Sequence, residues 1–166
     1  MTKEAVFDDL IDTYSAYYNI KKEDVVSPFD AEAYFANEAE KYVLVKKAKI
    51  ADVDSYEHVF FALRDEIGLT ELTDLDEKAW EEGVARVKPS ADHKNTDVVL
   101  VVVCDKIADD VKANINSFKH SKNYRFGLFG YSNYFMVVIE AGSETILTNR
   151  RGKIMKDFVQ QVFRKD

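Results

Sequence analysis

The chain of 166 residues falls within the span of one domain, 1–166, and can bury roughly two thirds of its unfolded surface around a single core. Its 46% apolar and 32% charged residues match a globular domain, and six glycines with two prolines are too few for a disordered or linker-rich chain. A net charge of −7 disfavours nucleic acid as a partner, while the lone Cys104 and the scattered His58, His93 and His120 exclude an intramolecular disulfide and offer no zinc-ligand spacing.

The average charge hides an asymmetry. Residues 1–105 carry 12 Lys+Arg against 24 Asp+Glu, whereas residues 106–166 carry 11 against 6. No stretch approaches the roughly 18 to 20 apolar residues of a membrane span, and MTKEAVFDD places acids where a signal peptide is hydrophobic. The expectation is a cytoplasmic protein with no membrane contact.

Taken in order, Val6, Phe7, Leu10, Ile11, Tyr14, Tyr17 and Tyr18 recur at helical spacing and predict an amphipathic helix over Glu4–Tyr18, capped by Thr2. Asn19–Pro28 reads as a connection. Alternation in Phe29–Asn37 predicts a strand, followed by strands over Lys41–Ile50 and Tyr56–Leu63, which together form a three-stranded antiparallel meander. Leu75–Val87 returns to helical period, with Asp74 and Glu77 resembling a capping box. Ser90–Thr96 reads as a polar loop.

Asp97–Asp105, DVVLVVVCD, is an apolar run of strand length bracketed by carboxylates. An unbroken β-branched run this short predicts a strand buried on both faces, with Cys104 as a core residue. Ile107, Val111, Ile115 and Phe118 predict a helix that ends near His120 and Ser121, with Asp105 as its candidate cap. Tyr124–Tyr131 and Tyr134–Ala141 suggest a hairpin about Ser132 and Asn133. Thr145–Thr148 suggests a short strand, and Arg151–Phe163 a closing helix capped by Thr148 or Asn149. The predicted class is α+β with α/β character: a mixed sheet with an N-terminal meander, a central buried strand and helices on both faces.

The segments FDAEAYF, EKYVLVKK, FGLFGY and LTNRRGK resemble a family of small uncharacterised bacterial proteins, which implies no activity. The element order is also similar to that of restriction-endonuclease-like nucleases. That resemblance implies an acid opening one strand and an acid, any residue, then lysine on the next, with Mg²⁺ held by the carboxylates. Here Asp30 fits the first position. Glu40-Lys41-Tyr42 brings the lysine one residue early, and Lys47-Ala48-Lys49 has lysine in place of the acid. Under this resemblance Asp30, Glu40 or Glu57, and Lys47 or Lys49 form the metal site; otherwise no cofactor or metal is expected.

Asn149-Arg150-Arg151-Gly152-Lys153 places cations at the start of the last helix, against the helix dipole. This predicts contact with a phosphate or another small anion, which Arg125, Lys119 and Lys122 can join if the fold brings them near. Tyr124, Phe126, Phe129, Tyr131, Tyr134 and Phe135 offer stacking platforms, but aromatics in a predicted hairpin better suit core packing or self-association as a homodimer. The leading expectation is a non-catalytic binding or interaction domain with a small anionic ligand or protein partner. A metal-dependent nuclease of degenerate motif and a self-associating structural protein are the alternatives.

Overall fold

The computed structural model describes residues 1–38 and 54–164. Helix α1 (Lys3–Ser15) opens on Thr2, whose Oγ1 accepts the Ala5 N–H at 3.1 Å. It ends three residues earlier than its apolar stripe suggests. The predicted connection then contains β1 (Asn19–Lys21), which satisfies its backbone groups against the edge of β2 (Ala31–Asn37).

On its other side β2 pairs antiparallel with β3 (Asp54–Ile67), from Ala31 opposite Phe61 to Asn37 opposite Ser55. The antiparallel trio is therefore β1, β2 and β3. The expected strand Lys41–Ile50 lies outside the described residues.

Helix α2 (Leu69–Ala85) corrects the predicted start at Leu75. Leu72 is buried with Leu75, and Asp74 and Glu77 lie inside the helix instead of capping it. Gly68 takes the cap position without a side-chain bond, and Asp110 from across the fold accepts the Leu69 N–H at 3.3 Å. A cap supplied by a distant residue leaves no local motif to read.

Strand β4 (His93–Ile107) contains the valine run but begins inside the predicted loop. Tertiary partners satisfy its polar start: Asn95 accepts from the Ser55 hydroxyl, and His93 bonds Thr96 and the Phe129 carbonyl. Asp105 remains within this strand and binds Lys3 at 2.6 Å, while Ala108 holds the cap of the short α3 (Asp109–Asn114). The predicted helix, expected to reach His120 or Ser121, shrinks to α3 plus a 3-10 turn, Ile115–Ser117.

The predicted hairpin is also corrected. Ser132 and Asn133 are part of β6 (Tyr131–Glu140), whose antiparallel partner there is β5 (Ser121–Asn123). Arg125 and the FGLFGY segment after it make a tight turn, with Arg125 at φ 45° and Phe126 at φ 56°, a conformation that side-chain spacing does not reveal. Strand β7 (Thr145–Thr148), the expected short strand, pairs with the far half of β6. The closing helix is broken into a 3-10 turn (Arg151–Met155), α4 (Lys156–Gln160) and a second 3-10 turn (Gln161–Arg164).

The seven strands among the described residues form one mixed sheet in the order β1-β2-β3-β4-β6-β5, with β7 also on β6. Strands β3, β4 and β6 run parallel. Residues Val99, Val101 and Val103 pack beneath α1 and the C-terminal segment; Val98, Leu100 and Val102 pack against α2 and α3. Coverage of both faces is why β4 is apolar at consecutive positions. Cys104 is buried there, its Sγ donating to the Ile139 carbonyl, and burial pushes its thiol up to about 12.

Candidate functional site

The parallel register of β3 and β4 places Glu57 beside Asp97. Alternation carries both side chains to the face that buries Val59, Phe61, Val99 and Val101 under α1. At this row, however, the helical cover gives way to a cavity of about 250 Å³. Its walls include Tyr14 from the last turn of α1, Tyr17 and Tyr18 just beyond it, Phe135 from β6, and Ile154 and Phe158 from the C-terminal segment. Tyr14 meets Tyr18 and Phe158 edge-on, with ring centroids 4.9 and 5.2 Å apart. The aromatic wall is thus braced, while Tyr17 at 80% and Ile154 at 79% exposure stand at the rim.

Two half-buried carboxylates share this apolar setting. Burial pushes Glu57 up to about 7, opposed by the Tyr18 hydroxyl, which donates to its Oε2 at 2.5 Å; the charge of Asp97 pushes it further up. Asp97 is raised for the same primary reason, with an Asn95 hydrogen bond and the charge of Arg151 acting the other way. Like charges on adjacent strands destabilise a sheet. Such an arrangement favours a proton or a cation between the groups.

Cavities also lie elsewhere among the described residues. One of about 290 Å³ contains Asp76 and His120, joined at 2.7 Å, with the imidazole stacked on Trp80 at 5.2 Å. Tyr134, buried beside Asp76, is pushed up by burial and by that carboxylate. This network ties α2 to β6 and to the segment leading into β5. Another, of about 320 Å³, lies among Tyr34, Tyr56, His58 and Arg86. Burial and Arg86 lower His58 to about 4, so its ring is neutral and serves as a stacking partner for Tyr34 at 5.0 Å.

Of the residues expected to bind metal, Asp30 and Glu57 are described, and they stand apart. Asp30 Oδ2 accepts the Leu63 N–H at 2.8 Å and pairs with Arg64 at 3.0 Å. Leu63 is six residues from Glu57 along β3, about 20 Å at the rise of a strand. Glu40, Lys47 and Lys49 lie outside the described residues. Among the described residues no group of three His, Cys, Asp or Glu is placed to hold a metal ion.

At the start of the C-terminal segment, Asn149 is buried and its amide is fully engaged. Oδ1 accepts the Met136 and Gly152 N–H groups at 3.0 and 2.8 Å, and Nδ2 donates to the Phe118 and Tyr134 carbonyls. One N–H that an anion would use is therefore occupied, and α4 is only five residues long. Arg150, Arg151 and Lys153 are exposed, and the charge of Arg151 acts on the cavity through Asp97. The guanidinium of Arg125 lies 4.8 Å from the Phe129 ring centroid. Asp97 and the tyrosines of α1 were not candidates from sequence. The available signals were an acid at the entry to an otherwise apolar strand and a tyrosine cluster where the helix ends.

The fold and cavity define a small α+β domain built on a mixed, open sheet with seven strands among the described residues. The chain belongs to the family described as "Domain of unknown function (DUF8052)", whose model matches residues 2–161. No curated protein and no solved structure matches the chain. None of the described helices is long and apolar enough to cross a membrane.

Proposed function

We propose that this is a binding domain whose cavity accepts a small apolar group carrying a positive charge, such as an arylalkyl amine. The observation that carries this reading is the side-by-side placement of Glu57 and Asp97 in a tyrosine-walled cavity. A cation there relieves the repulsion between desolvated carboxylates, and aromatic faces add cation–π attraction. At about 250 Å³ the space is at the small end of ligand pockets, suited to one ring or a short aliphatic chain.

Titration calorimetry with benzylamine and its neutral counterpart, benzyl alcohol, tests the charge requirement. The amine binds and the alcohol does not, and Glu57→Gln/Asp97→Asn abolishes binding. Equal binding of amine and alcohol, or retention by the double variant, sinks the reading.

The charge of Arg151 at Asp97 favours a second reading, in which the ligand carries a carboxylate as well as an amine. This retains an anion contact at one of the expected cations. Phenylalanine then binds more tightly than phenethylamine, and Arg151→Ala removes the difference; no preference for phenylalanine rules this reading out.

A further inference from the structure

The turn between β5 and β6 displays apolar groups on a stiff support. The Tyr124 carbonyl accepts the Gly127 and Phe129 N–H groups, both at 3.0 Å, and the Tyr124 N–H donates to Gly130 at 2.9 Å. Because the Phe129 carbonyl can only accept, His93 Nδ1 donates to it at 2.7 Å. Gly130 has φ 84°, and a Cβ there would stand 2.3 Å from the Lys94 carbonyl, so close backbone packing also anchors the turn.

At the tip this order has no internal use for two side chains. Phe126 is 104% and Leu128 76% exposed. Arg125 and Phe126 both adopt the left-handed backbone region, which is unfavourable for non-glycine residues and unusual for a bulky aromatic. A stiff tip presenting an aromatic ring gives up little conformational freedom on docking. Cations flank it: Arg125 is the preceding residue, and Lys122 lies 5.6 Å from the Tyr124 ring centroid.

An apolar ring adjoining a positive charge is the chemistry assigned above to the occupant of the Glu57–Asp97 cavity, and the present inference rests on that reading. We propose that the Arg125–Phe126 tip of one molecule docks in the cavity of a second copy of this chain. Phe126 enters among the tyrosines, while Arg125 and Lys122 approach the two carboxylates. Each copy has one tip and one cavity, so the contact closes as a reciprocal pair or a ring, or continues head to tail.

Sedimentation velocity of the full chain from low-micromolar to near-millimolar concentration is the test. The comparison uses a tip variant, Phe126→Ser/Leu128→Ser, and a rim variant, Ile154→Arg. All three altered positions are exposed, and circular dichroism confirms folding. Wild type associates with rising concentration, and each variant associates at least about tenfold more weakly. Mixing the variants restores a heterodimer through the remaining intact tip and cavity. Monomeric wild type, or unchanged association in the tip variant, overturns self-docking. Benzylamine binding to the tip variant checks the cavity separately, because that variant retains the cavity.

Discussion

Replacing Glu57 with glutamine is expected to stabilise the protein, with an effect that depends on pH. The carboxyl rises from 4.5 to about 7 on folding, chiefly through burial. A raised acid favours the folded state below about pH 4.5, and that advantage is lost as pH rises through about 7. At about 1.4 kcal/mol per pH unit, the wild type forgoes roughly 3 kcal/mol at pH 8 relative to pH 4. Partial exposure of Glu57 reduces this to roughly 1 to 3 kcal/mol. Glutamine has the same shape, and its amide oxygen can accept the Tyr18 hydroxyl. Urea unfolding at several pH values between 4 and 8, analysed as the difference between variant and wild type, measures the effect. Glu57→Gln is more stable at pH 8, and the gap closes towards pH 4. Destabilisation at pH 8, or a gap independent of pH, refutes the argument that Glu57 is held at a desolvation cost.

His58 has the opposite dependence. Its pKa is lowered to about 4, so the stability present above pH 6.5 is lost as pH falls through 4, by roughly 3 kcal/mol. His58→Phe keeps a ring beside Tyr34 and removes this slope from pH-dependent unfolding. Gly83→Ala would ordinarily strengthen a helix, but a Cβ there meets Val98 Cγ2 at 2.4 Å, where α2 crosses β4. Chemical denaturation should show a loss of about 2 to 3 kcal/mol. Asn149→Ala strands buried groups on β6, the C-terminal turn and the segment before β5, costing roughly 3 kcal/mol or more. The exposed Arg150→Ala stays within about 0.5 kcal/mol of wild type in the same assay.

Periodicity was a good guide where burial alone chooses the conformation. The valine run identified the central strand and implied helices on both faces, because apolar residues at successive strand positions need cover on each side. Thr2 was readable as a cap because its partner, Ala5, is three residues away. The start of α2 was not readable, since its cap partner is Asp110. The β5–β6 turn was hidden for a related reason: its aromatics suggested a strand, while left-handed backbone at Arg125 and Phe126 decides its course.

By itself the sequence determined the α+β class, the identity of the core strand, the structural role of Cys104 and the lack of metal-ligand spacing among its histidines. These follow from local composition and periodicity. Tertiary structure decided the candidate site. Glu57 and Asp97 are forty residues apart in the chain and become neighbours only through the parallel register of β3 and β4. Their altered acidity comes from burial at the end of α1, where helical cover gives way and tyrosines line the remaining space. Strand register and desolvation are collective properties of the folded chain, so neither carboxylate carries a local sign of the site it forms.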